Sequence, residues 1–258
     1  MASQDPWLVA RMHQRDQVAT AERELAPAVR AAVEEYLAAV QSGLGLGTVT
    51  AAAAPGDGEP DWTGYPDDSA WRRIVQQRIA PAWRKVFSGS YRRTAPSAPP
   101  SAGDGRADDE AEELAERLRQ FPRRVWARLR TAWRDGTARG ETPAELRVRV
   151  AELATLEGWT GATDTMTRTE VIGALNAGAI GAALDEQART RRPWTKAWLS
   201  TADDRTRATH RAADGQTVPL ATPFTVGRAR LQFPGDPRGP AGEVINCRCS
   251  LTLHPASE

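Results

Sequence analysis

The chain's only cysteines, Cys247 and Cys249, lie two apart, and two of its three histidines, His210 and His254, fall in the same stretch from Trp194 to His254. Thiolates and imidazoles are the usual ligands of zinc. Cys247, Cys249 and His210, with His254 or Asp203 as a fourth, therefore form a candidate zinc site, although the usual two-residue spacer between paired cysteines is missing. The same residue types allow nucleophilic chemistry, with Cys247 or Cys249 as thiolate, His210 as base, and Asp203 or Asp204 orienting it. No oxyanion-hole signature accompanies them. A structural reading stands beside both. Cysteines pack as small hydrophobes. Asp203 can cap a short helix and pair with Arg207 one turn on, with His210 bracing the following turn. A disulfide between Cys247 and Cys249 would close a very small ring, so thiols are expected.

A second group is electrostatic. Between Asp108 and Thr137 acids come first and arginines follow, including Arg123, Arg124, Arg128, Arg130 and Arg134. This order complements a helix dipole, which makes a solvated, ion-paired helix the plain reading. The alternative is contact with DNA phosphate or an acidic partner. Formal net charge is only +1, so no overall pull toward nucleic acid or membrane is expected. Lys85 and Lys196 are the only lysines; the arginine bias, with abundant alanine, fits a compositional origin.

The elements that must carry these residues follow from periodicity. Leu25, Val29, Val33 and Leu37 recur every four residues, widened by Tyr36 and Val40, and predict a helix from Pro6 to Gln41. A second helix is expected from Ser69 to Phe87, kinked or bounded at Pro81. Residues 48–67 and 94–107 read as linkers, the latter without an apolar anchor. One long helix is expected from Asp108 to Thr137, with Pro122 as a bend. Thr142-Pro143-Ala144-Glu145 is a capping box with proline at the first helical position. The next helix, from about Thr163 to Ala188, contains Gly173, Gly178 and Gly181. Interior glycine costs roughly 1 kcal/mol each, so close packing is expected there. Trp194–Leu199 reads as a strand, Asp203–Arg211 as a short helix or turn, and Asp214-Gly215 as a turn. Glu243–Leu253 reads as a final strand, with Ile245, Cys247, Cys249 and Leu251 on one face.

These motifs have an order. Arg168-Thr169-Glu170 is followed by Lys196-x-Trp198, then Asp203-x-x-x-Arg207-x-x-His210, Asp214-Gly215, Phe224 after proline, Pro234-Gly235-Asp236, and Asn246-Cys247-Arg248-Cys249. The ordered set, over about residues 140–254, resembles the phage Mu protein F-like family of head-morphogenesis (minor head) proteins. The resemblance implies a minor capsid component located in the virion, at the capsid interior or portal vertex, after synthesis in the host cytoplasm. Its implied partners are portal protein, major capsid or scaffolding protein, and packaged DNA, with several copies per head. It implies no settled enzymatic activity. Arg168-Thr169-Glu170 also echoes an ADP-ribosyltransferase element, but here it sits in a helical pattern; Glu170 or Asn176 reads better as an internal partner for Arg207 or Arg248.

The expected fold is α+β: a mainly helical N-terminal region, residues 1–139, and a compact C-terminal domain, residues 140–258, with helices packed on a small β-sheet. The expected role is structural. The alternatives are a zinc- or cysteine-dependent enzyme acting during assembly or DNA delivery, and a DNA-binding module. The N-terminus lacks an apolar signal core and no stretch is apolar enough to span a bilayer, so no membrane partner is expected.

Overall fold

A computed structural model describes residues 6–46, 62 and 68–255. The linker expected at 48–67 lies outside them, Trp62 apart. The chain runs α1 (Pro6–Gly43), α2 (Asp68–Ile74), a π-helical turn (Val75–Ile79), α3 (Ala80–Thr94), α4 (Asp104–Glu112), α5 (Leu114–Arg117), α6 (Gln120–Ala138) and α7 (Pro143–Leu153). A 3-10 turn (Leu156–Trp159) leads into α8 (Thr160–Thr190), followed by β1 (Trp194–Leu199), α9 (Ala208–Ala213), β2 (Thr217–Pro219), β3 (Phe224–Val226), β4 (Ala229–Leu231), α10 (Ala241–Val244) and β5 (Ser250–Pro255). The fold is α+β, mainly helical, with a small antiparallel sheet near the C-terminus.

The contacts group into two units, each discontinuous in sequence: Met1–Pro27 with Ala80–Glu112 and Asp164–Glu258, and Ala28–Ile79 with Glu113–Thr163. α1 and the continuous α2–α3 run each give residues to both units.

The four-residue stripe of α1 is buried as expected, and Val29, Val33 and Leu37 of it lie in the second unit. Tyr36 meets Trp71 edge-on at 5.2 Å and accepts a hydrogen bond from the Trp126 indole at 3.0 Å. The helix expected from Asp108 to Thr137 is instead three helices. Pro122 explains the last break. Its ring displaces the carbonyl four residues back, at Leu118, so the helix ends there and restarts at Gln120, with Pro122 in the first turn where a missing N–H is harmless. Pro81 is accommodated differently: the π turn at Val75–Ile79 lies just before it and the helical run continues. At α7 the capping box is complete, with Thr142 Oγ1 accepting from the Glu145 amide and Glu145 accepting from the Thr142 amide at 2.8 Å.

In the first unit, α8 packs on α3 through its glycines. A Cβ built at Gly178 would stand 2.4 Å from the Phe87 carbonyl oxygen, so the approach requires glycine. Residues 94–107 also depart from expectation. They close in successive turns (Ala98 to Ala95, Ala102 to Pro99, Asp104 to Ser101) and anchor on buried Ala95 and Ala107. Small alanines supplied the anchor that a search for large apolar residues overlooks. The three-stranded sheet has order β2-β1-β5, with Trp198 opposite Leu251 and Lys196 opposite both Val218 and Leu253. β3 and β4 form a separate hairpin. The core beneath holds Ile172, Trp198, Phe224, Val226, Leu231, Cys247 and Cys249.

Candidate functional site

The site begins at Asn246, whose backbone is left-handed (φ 58°). Asparagine tolerates this conformation better than most residues. Its amide donates to Thr169 Oγ1 at 3.1 Å and its Oδ1 accepts from Arg168 at 3.0 Å, so α8 holds the turn. Arg207, beside α9, donates to the Ile245 carbonyl. The strand expected over Glu243–Leu253 is therefore displaced: α10 occupies its start and β5 begins only at Ser250. Ile245, expected on the cysteine face, is 44% exposed, whereas Cys247 is buried.

The turn sends both sulfurs toward His210. Nδ1 of His210 lies 3.3 Å from Cys249 Sγ and 3.7 Å from Cys247 Sγ. Its Nε2 lies 3.0 Å from Glu243 Oε2, and Thr209 donates to the same oxygen at 2.9 Å. The Trp198 ring meets the imidazole edge-on at 5.4 Å. The two thiols are unequal. The Cys247 thiol donates to Cys249, which lowers the pKa of Cys249, helped by His210; that same bond, with burial, raises Cys247. Of the expected cluster, His210, Cys247 and Cys249 come together within 4.8 Å. His254 does not: it is exposed on β5 and bonds Thr252.

Asp203 is also elsewhere. Arg248 grips it with both guanidinium nitrogens, NH2 at 2.7 Å from Oδ1, and holds its carboxyl far below the usual carboxylate range. Asp203 further accepts from the Arg205 amide at 3.1 Å and Thr206 Oγ1 at 3.0 Å. The expected Asp203–Arg207 pairing fails because α9 starts at Ala208. Arg207 is its N-cap and Asp203 lies before the helix, off any shared face. Asn176 partners neither arginine; its amide donates to the Pro234 carbonyl at 2.8 Å. Glu170 is buried on α8.

Lys196 is fully buried, with Nζ 2.8 Å from both the carbonyl and Oε1 of Gln232 and 5.1 Å from the Phe224 ring centroid. Burial pulls its pKa down to about 8, against the opposing charge of Asp236. Asp214 Oδ1 accepts from the Ser200 amide at 2.7 Å, and Gly215 (φ 75°) donates its amide to the Trp198 carbonyl at 2.9 Å.

A thiol, an imidazole and a carboxylate in line resemble nucleophilic machinery, with Cys249 rather than Cys247 nearest the base. His210, Cys247 and Cys249 are only 1–2% exposed, however, which denies a substrate approach to either sulfur. The arrangement suits holding an ion or bracing a core. The motif residues are thus joined to one another as an internal network, which is the pattern of a domain's fasteners. Comparison of the sequence with known families bears on this directly. Residues 127–252 match the family model of phage Mu protein F like protein. This Mu F-like region covers just under half of the chain and takes in every motif from Arg168 to Cys249. The family is one of phage head-morphogenesis proteins. No curated protein and no solved structure matches the chain.

Residues outside the Mu F-like region also reach its site. On α1, Arg11 donates to the Ser200 carbonyl at 3.1 Å and to Asp214 at 2.7 Å, and Gln14 donates to the Arg248 carbonyl at 2.6 Å. No local signal marks them. Glu243, at the start of the expected final strand, instead lies on α10. The arginines of α6 belong to the second unit. Arg123, Arg124, Arg128, Arg130 and Arg134 are all exposed, opposite the buried Phe121, Val125, Leu129 and Trp133. Arg128 bonds the Gly158 carbonyl at 2.8 Å and stacks over Trp159, and Arg130 bonds the Trp62 carbonyl at 2.6 Å. Among the described residues no helix is long and apolar enough to cross a membrane.

Proposed function

We propose that the protein is a minor head component of a tailed phage, acting structurally in head morphogenesis at the portal vertex or inner capsid surface. The match of residues 127–252 to the Mu F-like family carries this reading. The chemistry of the site supports it: the reactive side chains are sealed in a core and spent on internal contacts rather than displayed in a cleft. In this role the chain binds portal, major capsid or scaffolding protein, in several copies per head.

The test uses the purified full chain with portal rings and with procapsid shells of the phage that encodes it. Co-sedimentation with either, at a reproducible copy number, is expected. The chain remaining at the top of the gradient with both, together with normal infectious heads assembled in its absence, would overturn the proposal.

A further inference from the structure

We infer that His210 Nδ1, Cys247 Sγ and Cys249 Sγ hold a zinc ion. With Zn–N near 2.0 Å and Zn–S near 2.3 Å, two ligands of a tetrahedral zinc stand about 3.6 Å apart. The nitrogen–sulfur separations of 3.3 and 3.7 Å fall on either side of that value, and all three ligand atoms lie within 4.8 Å of one another. A Cys2His set selects a borderline or soft metal over magnesium or calcium.

The far side of the imidazole points the same way. An ionised Glu243 carboxylate can only accept, so a hydrogen sits on Nε2, and Nδ1 is the nitrogen turned to the sulfurs, where it can serve as a ligand. A carboxylate on the far nitrogen is the usual orienting partner of a metal-bound histidine. Neutral packing of two thiols would need no carboxylate behind the imidazole.

Neither residue expected as a fourth ligand joins these three. Asp203 is committed to Arg248 and His254 stands apart with Thr252. Bound there, the ion joins α9 to the connection between α10 and β5, where regular structure is sparse. Its ligands are scattered along the unfolded chain, so binding energy becomes folding energy. Head association is a separate property, and its failure would leave this inference untouched.

The full chain, expressed with ample zinc and kept reduced, is assayed for metal by mass spectrometry; its stripped form is titrated with cobalt(II). Zinc at about one equivalent per chain is expected, with cobalt giving tetrahedral d–d bands and thiolate charge-transfer absorption. Cys247→Ser and Cys249→Ser should each lower the charge-transfer intensity. Glu243→Gln should keep the native circular dichroism while weakening metal affinity about ten- to a hundredfold. Absence of stoichiometric zinc with no cobalt bands, or a Cys247–Cys249 disulfide in the reduced preparation, would overturn the inference. So would full charge-transfer intensity in either serine variant. If the serine variants fail to fold, the cobalt spectrum of the unaltered chain decides alone.

Discussion

Arg248 holds Asp203 with both guanidinium nitrogens across 45 residues of chain, tying the Cys247–Cys249 segment to the loop before α9. The pair is partly shielded, with side-chain exposures of 19% and 33%. Arg248→Lys forfeits the two-pronged geometry and Asp203→Asn the charge. Each should lower unfolding free energy by about 1–2 kcal/mol after solvent screening, measured by urea denaturation at neutral pH.

Acid dependence follows from the same contact. The Asp203 carboxyl is depressed in the folded state. Its stabilisation is therefore complete above the unfolded value, about 3.9, and is lost as pH falls below it toward the folded value. Asp203→Asn should remove this slope, so the two chains' stabilities should converge as the solution is acidified. Parallel curves down to the lowest accessible pH would contradict the pairing.

Lys196 predicts the opposite side of the pH scale. Its folded pKa of about 8 lies below the unfolded value of about 10.4. Between them the unfolded chain binds the extra proton, so this residue makes stability rise with pH. Compared with Lys196→Met, the unaltered protein should gain about 1–3 kcal/mol across that window, read from denaturation midpoints at successive pH values. Below pH 8 the difference between the two should be flat.

At Gly178 a methyl group would collide with the Phe87 backbone. Gly178→Ala should cost about 1–3 kcal/mol or more by forcing α8 away from α3. Gly161→Ala, also on α8 but with nothing within 4 Å of the added carbon, is the control. It should be neutral or stabilising by up to about 1 kcal/mol. Thermal melts of both compare packing with propensity on one helix.

Thr142→Ala should lower stability by about 1 kcal/mol, because the Glu145 amide loses its acceptor and the capping box opens. Thr142→Ser should restore most of it.

The helices were legible where an apolar stripe was long, as with Val29, Val33 and Leu37, and where caps were local, as at Thr142. The grouping of His210 with Cys247 and Cys249 was legible from residue type. Less so was the geometry that delivers them. Alternating apolar residues around Cys247 mimic a strand, and the left-handed turn at Asn246 that breaks the alternation depends on Arg168 and Thr169, far away in sequence. Asp203 and Arg207 look paired by spacing, yet spacing matters only if one helix carries both. His254 is the right type in the right stretch, but β5 turns it to solvent.

Gln14 and the Arg248 carbonyl it bonds are separated by 234 residues. During synthesis the N-terminal segment of α1 emerges with no partner to receive it. Arg11 waits for Asp214, and Gln14 waits for Arg248. The first unit can therefore close only after Arg248 has been made, and contacts of such long sequence separation form slowly. In the meantime Val18 has no core to pack on, which is the interval when a chaperone or an assembling partner could meet the exposed helix.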